Sequence, residues 1–416
     1  MRKGTNDISQ TAPSFVGVGF GAIQAGLFLF EAQQTRAFTR LVVAEVLPEV
    51  VDAVRNAGGR YMLNIATPGG IERHEVSGIE MYNPAVPADR AKLVEAIACA
   101  TEIATALPSV AFYDTGGSAS AAALLADGIR QKLAAAQPVP ALIYTAENDN
   151  HAAEILDALL CDTLGVTPRN LHRAAQCLNT VIGKMSGVVT DAAQMTEQWL
   201  APMCPGLLRC FLVEEFNRIL ITKTSGEGFR RHILVFEERE DLLPFEEAKL
   251  YGHNATHALI GYLAHERGCQ YIADAAHEGG LMRFARDAFI EESGAALCRK
   301  HAGVDPLFTP EGYQAYADDL LIRMVNPYLR DAVARVIRDP KRKLGWNDRL
   351  VGTMRLALGQ GIEPRRYARA AAAAVRAVQA DDPRPMRAVL DECWRGAAAG
   401  EEDRQRITQL ISEARQ

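Results

Sequence analysis

Lys249, Asn254 and His257 are the residues of this chain whose types and spacing best suit chemistry. They place an amine, a carboxamide and an imidazole inside one helical stretch, Pro244 to Ala264. At about 100° per residue they fall within an arc of roughly 140°, so one cavity wall can carry all three. An amine or imidazole so placed can take a proton from a hydroxyl, and carboxamide N–H groups can stabilise the oxyanion left behind. The commoner fate of a Lys, an Asn and a His on a helix is a solvated face, and spacing alone leaves that reading open. His253 and His257 also stand at the i, i+4 spacing of a metal pair. Asn254 follows His253 where a zincin motif needs Glu, so no metal is expected.

The helix that must hold these groups has its own signals. Pro244, Glu246 and Glu247 suit a first turn, where free N–H groups favour negative charge. Leu250, Tyr251, Ala255, Ala258, Leu259, Tyr262 and Leu263 recur at helical spacing and predict a buried side.

A second chemical constellation lies near the N-terminus. Phe15 to Val18 predicts a strand that runs into Gly19-Phe-Gly21 and then a helical segment carrying Gly26. This layout fits a dinucleotide-binding turn, with Gly19, Gly21, Ala22 and Ile23 against a pyrophosphate at a helix N-terminus. Gln24 occupies the position where the fingerprint carries its third glycine. Arg40 to Glu45 predicts a second strand, and its terminal acid suits the adenosine ribose hydroxyls while repelling a 2′-phosphate. The expected cofactor is therefore NAD and not NADP, although Glu45 could also be a solvated strand-end acid.

Strands and helices go on alternating. Leu93 to Leu107 has a helical pattern and Ser109 to Tyr113 reads as a strand. Thr115 and Gly116 then sit in a loop expected beside the cofactor, and Ala119 to Ala134 is helical. Pro140 to Asn148 is a strand that delivers Glu147 and Asn148 at its carboxyl end, where open α/β sheets bind ligands. Asn148 could equally be a turn residue. Phe211 to Ile221 reads as one more strand, and from residue 244 onward the pattern is almost wholly helical. The expected fold is an α/β Rossmann-type domain over residues 12–243, followed by a mainly α-helical domain over 244–416.

Composition excludes other classes. A net charge of −6 with no long Lys/Arg run argues against nucleic acid. Eight cysteines without a C-x-x-C pair fit reduced thiols in a cytoplasm. No signal peptide is evident, and no run of 18 apolar residues predicts a membrane span. The short run Lys341-Arg-Lys343 is either a solvated helix end or an anion site.

The form Lys-x-x-x-x-Asn-x-x-His at Lys249, Asn254 and His257 resembles the signature of the polyol-specific long-chain dehydrogenases, the mannitol dehydrogenase family. Three further segments resemble that family in the same order: Ala288 to Ala296, Asn326-Pro-Tyr-Leu-Arg-Asp331, and Arg342 to Leu350. The resemblance runs from about residue 14 to about residue 380. It implies an NAD-dependent, metal-independent oxidoreductase that interconverts a hexitol or hexitol phosphate and the corresponding ketose. It also implies roles: Lys249 as general base, Asn148 and Asn254 as an oxyanion hole, and His257 on a substrate hydroxyl. Arg323 and Lys343 would meet the substrate. The family's mannitol-phosphate members carry Asn-Ile-Gly-Arg-Gly in the first turn, where this chain has Ala22-Ile-Gln-Ala-Gly26. A free-hexitol dehydrogenase acting at C5 and a uronate reductase are the alternatives within the family. A non-catalytic NAD-binding regulator is the alternative from another class. The partners expected are a small-molecule polyol or ketose and, at most, a second copy of the chain, as monomer or dimer.

Overall fold

The computed structural model describes residues 12–225, 228–398 and 400–415. It divides into two compact units, one ending at Leu242 and the other beginning at Leu243.

Twelve strands are found among the described residues, all in the first unit. In chain order they are β1 Ser14–Val18, β2 Arg40–Ala44, β3 Tyr61–Thr67, β4 Gly70–Val76, β5 Ile79–Tyr82 and β6 Glu102–Thr105. They continue as β7 Ala141–Thr145, β8 Ala175–Ile182, β9 Ser186–Val189, β10 Cys210–Glu214, β11 Ile219–Thr222 and β12 Phe236–Arg239. Six of them form a parallel core in the order β5-β2-β1-β6-β7-β8, which is the doubly wound order of a dinucleotide-binding sheet. The order reverses between β1 and β6, and that switch point is where such sheets bind ligands. β11 adds antiparallel to β8, and β12 parallel to β11. A separate sheet, β4-β3-β10-β9, grows from the excursion between β2 and β5.

Both faces of the parallel sheet are covered. Phe15, Val43, Ala104, Tyr144 and Leu178 belong to one apolar cluster, and Val16, Val42, Ile103, Ile143 and Cys177 to the other. Strands covered on both faces read as unbroken apolar runs rather than alternating ones. One strand differs from expectation. The helix expected to reach Leu107 ends at Cys99, and the strand is Glu102–Thr105, not Ser109 to Tyr113. A four-residue strand, Glu-Ile-Ala-Thr, is too short to break a helical pattern, whereas Val110–Phe112 forms a 3₁₀ turn. The single strand expected over residues 211–221 is instead two, β10 and β11, which lie in different sheets.

The second unit is helical, as the pattern predicted. Its first helix runs without a break through Leu243–Glu247, a π-helical stretch Ala248–Asn254, and Ala255–Glu266. A second helix repeats that build: Leu281–Asp287, π-helical Ala288–Gly294, then Ala295–Lys300. Arg365–Gln379, the Ala-rich segment, is a helix in which Ala368 and the run Ala370 to Ala374 are buried and so permit close approach. No helix of the described residues is long and apolar enough to cross a membrane.

Candidate active site

The candidate residues fall into two groups, one in each unit. In the first unit the turn after β1 is built as a phosphate cradle. Gly19 has φ of 87°, and a Cβ there would stand 2.8 Å from the Ala106 carbonyl oxygen, so only glycine fits. A Cβ on Gly21, by contrast, would meet nothing within 4 Å, which leaves open space for a ligand's approach. Ala22 and Ile23 open the helix that continues as Gln24–Leu29 and Phe30–Thr35, so free N–H groups face that space. Those features fit a dinucleotide pyrophosphate.

Glu45 is buried at the end of β2. Its Oε2 accepts from Phe20 N–H at 3.0 Å and its Oε1 from Leu47 N–H at 2.9 Å. The carboxylate thus ties the glycine turn to its own strand end. A carboxylate has about four acceptor positions, so two remain for ribose hydroxyls.

The residues next to Gly19 on the β6 side are Ala106 and Leu107, because the strand ends earlier than expected. Thr115 and Gly116 stand in an exposed loop, with Thr115 Oγ1 donating to Ala111 O at 2.9 Å. Asn148 is exposed just beyond β7. Its neighbour Glu147 is 3% exposed and takes three hydrogen bonds: Thr105 Oγ1 at 2.9 Å, Leu107 N–H at 2.9 Å and Tyr113 Oη at 2.5 Å. Burial pushes the Glu147 carboxyl up, and these donors push it back down. Glu147 therefore clamps the end of β7, and with it Asn148, to the end of β6.

In the second unit the π turn changes the geometry assumed from sequence. One extra residue per turn lowers the rotation from Lys249 to Asn254 by about 100°, so residues five apart come nearly into line. Lys249 is half-buried, and desolvation lowers its pKa from 10.5 to about 8; Glu246 opposes that shift and Arg349 assists it. His257 Nε2 lies 3.0 Å from Asp331 Oδ2, and Arg335 holds the other Asp331 oxygen at 2.6 Å. His253 is 6% exposed and is held well below 6.5 by burial, then by His257, Arg323, Lys249 and Arg349. It is a neutral filler within electrostatic reach of the cations, and among the described residues no group of three or more His, Cys, Asp or Glu could hold a metal ion.

Of the two cations expected to meet substrate, Arg323 lies near His253 and pairs with Asp319 at 3.1 Å. Lys343 is 3% exposed and donates to the Arg338 carbonyl, so its ammonium is spent on the backbone. Lys341 pairs with Glu392 at 3.0 Å and Asp382 at 3.3 Å. Lys341 and Lys343 of the basic run therefore serve the unit's own structure. Sequence reasoning missed Asp331, although it lies in a segment that carried the family resemblance. The available signal was chemical: an imidazole in a cavity wall calls for an acid to fix its orientation.

A doubly wound nucleotide-type sheet, together with a helical unit carrying a depressed-pKa lysine beside an Asn and a His–Asp pair, defines a two-unit dehydrogenase architecture. Residues 241–415 match the mannitol dehydrogenase C-terminal domain. Over 373 residues it is 29% identical to the mannitol-1-phosphate 5-dehydrogenase of Bacillus licheniformis, covering 88% of this chain and 89% of that protein. A D-sorbitol dehydrogenase in substrate-free form shares the fold, with a TM-score of 0.72 and 14% identity over 90% of this chain and 82% of that one. The Pseudomonas fluorescens mannitol 2-dehydrogenase, in ternary complex with NAD and D-mannitol, has a TM-score of 0.68 and 14% identity over 98% of this chain and 92% of that one.

Proposed function

We propose that this chain is an NAD-dependent oxidoreductase that interconverts a hexitol or hexitol phosphate and the corresponding ketose, with Lys249 as the general base. The observation that carries the reading is the amine of Lys249, lowered to about 8 and set on one helix with Asn254 and His257. At pH 7 about one Lys249 in ten is neutral, against well under one in a thousand for an ordinary lysine. That fraction is enough for a base near neutral pH.

Gly19, Gly21, Ala22, Ile23 and Glu45 would hold the cofactor, which supplies hydride acceptance and donation when bound. The chain's own groups handle the proton and the oxygen. Lys249 removes the hydroxyl proton in the oxidative direction and returns it in the reductive one. Asn254 and Asn148 donate N–H groups to the developing alkoxide. His257, with Nε2 turned to Asp331, keeps Nδ1 for a neighbouring substrate hydroxyl. The relatives support polyol oxidoreduction: the Bacillus licheniformis protein bears a mannitol-1-phosphate 5-dehydrogenase name, and the Pseudomonas fluorescens enzyme was solved with NAD and D-mannitol.

Between these two substrates, one observation favours the free hexitol. Lys341, Arg323 and Arg349 each have a carboxylate partner and Lys343 is buried on a carbonyl, so of the cations named for an anionic end these four are already engaged. The deciding experiment sets free hexitols and pentitols, their phosphates, and uronates beside one another with NAD. Turnover of a phosphate only, or of a free polyol only, chooses between the readings. NAD binding without turnover of any of them would leave a non-catalytic regulator.

A further inference from the structure

The helix that bears Lys249, Asn254 and His257 leaves α geometry over the seven residues Ala248–Asn254, and the helix packed beside it does the same over Ala288–Gly294. π turns are rare in proteins, so such a stretch persists where its surroundings hold it. Here the surroundings centre on Tyr313, 1% exposed, on the helix Pro310–Met324. A Cβ on Gly252 would stand 2.3 Å from Tyr313 Oη, and a Cβ on Gly294 would stand 2.6 Å from the Tyr313 ring. Phe289, inside the second π stretch, packs edge-on against the same ring with centroids 5.7 Å apart. Both π turns therefore close on one aromatic side chain through glycines that have no Cβ to repel it. The Tyr313 hydroxyl fills volume against Gly252, with Ser293 beside it.

The consequence for the three polar side chains is geometric. In a plain α-helix Lys249, Asn254 and His257 would spread over roughly 140°; one extra residue in the turn narrows the arc to about 60°. We propose that Tyr313, seated in the gap left by Gly252, is a positioning residue that holds the π turn bringing Lys249 into line with Asn254 and His257. Its consequence for catalysis rests on the proposed oxidoreductase reading; the geometry does not.

The test uses the full chain with Gly252→Ala and with Gly252→Ala/Tyr313→Phe. The second substitution removes the nearer of the two atoms that the new Cβ meets; the Phe289 ring edge, 2.9 Å away, must still give way slightly. The first readout is the pH midpoint for acetylation of Lys249 by acetic anhydride, followed by mass spectrometry of its peptide; it needs no substrate. The unaltered protein should give a midpoint near 8. Gly252→Ala should move it by a unit or more, and the double variant should bring it back. With whichever polyol the panel identifies, Gly252→Ala should lower kcat at least tenfold while KM changes less than threefold, and the double variant should recover most of that loss. A folded Gly252→Ala protein with an unmoved midpoint overturns the inference, as does a double variant no better than the single one. Should Gly252→Ala not fold, a double variant that folds with a midpoint near 8 supports the inference, and one that also fails to fold overturns it. No turnover across the panel would sink the functional reading, and the midpoint series would still decide the role of Tyr313.

Discussion

His257 Nε2 and Asp331 Oδ2 stand 3.0 Å apart, an electrostatic contact between two buried atoms. Burial works against the Asp331 carboxylate, but His257 and Arg335 hold its pKa below 3.8. Asp331→Asn keeps the shape and removes the charge. It should lower kcat/KM by about one to two orders of magnitude, about 1.4 kcal/mol per tenfold. The same pair makes a stability claim. A carboxyl with a depressed folded pKa contributes fully above its unfolded value of about 3.9 and loses that contribution as pH falls through the folded one. Unfolding curves of parent and variant should therefore differ at pH 6 and draw together as pH falls below the unfolded value of about 3.9; parallel curves throughout would remove Asp331 from the account.

Lys249 makes two claims of opposite sign. In the oxidative direction kcat should rise with pH through about 8 and then level, because the base must be neutral. Lys249→Ala should cut kcat by several orders of magnitude while NAD still binds. Stability runs the other way. A lysine lowered from 10.5 to about 8 binds its proton less readily folded than unfolded, at a cost of roughly 3 kcal/mol near neutral pH. Lys249→Met should thus be the more stable protein at pH 7, and its advantage should shrink as pH rises from about 8 toward 10.5. Thermal unfolding across that range is the check, and an advantage that grew with pH would contradict the burial assigned to Lys249.

Much of this was legible from residue types. The Gly19–Gly21 turn, the acid at Glu45 and the order of Lys249, Asn254 and His257 are local patterns, and local patterns survive folding. The π turn was not legible, because periodicity assumes about 100° per residue and the deviation depends on Tyr313, 61 residues beyond Gly252. The β6 strand was missed for a related reason: four residues covered on both faces, with only Ile103 and Ala104 apolar, carry no alternation. Lys343 was misplaced because charge was equated with exposure, whereas its stem packs inside and its ammonium reaches a carbonyl.

Gly17 and Gln24 allow a stability test of the first turn. The dinucleotide fingerprint puts glycine at the position of Gln24 so that helix and strand can pack closely. Here the small residue is on the strand instead. A Cβ on Gly17 would come 2.4 Å from Gln24 Nε2 and 2.7 Å from its Cδ, while Gln24 is fully buried and both its amide atoms lack partners among the described residues. Gly17→Ala alone should overpack the site and cost about 1–3 kcal/mol. Gly17→Ala/Gln24→Gly restores the usual distribution and should regain most of it. Additive losses in the double variant would show that the two residues do not share this space.

The cofactor preference should turn on Glu45. Its two oxygens already accept Phe20 and Leu47 N–H groups, so the carboxylate is held in place before any ligand arrives. Ribose hydroxyls can donate to the positions that remain, whereas a 2′-phosphate would bring negative charge against a fixed negative group. Two unit charges at about 4 Å interact by roughly 4 kcal/mol at an effective dielectric near 20. Solvent at the strand end reduces that, so NAD should be preferred over NADP by about one to three orders of magnitude in kcat/KM, at about 1.4 kcal/mol per tenfold. Glu45→Ser removes the repulsion and should improve NADP more than it harms NAD. NAD will also suffer, because Phe20 N–H loses its acceptor and the glycine turn loosens, at about 1 kcal/mol for a typical hydrogen bond. The measurement is kcat/KM for both cofactors in parent and variant. Equal use of the two by the unaltered protein would place the ribose away from Glu45 and displace the nucleotide register built on it.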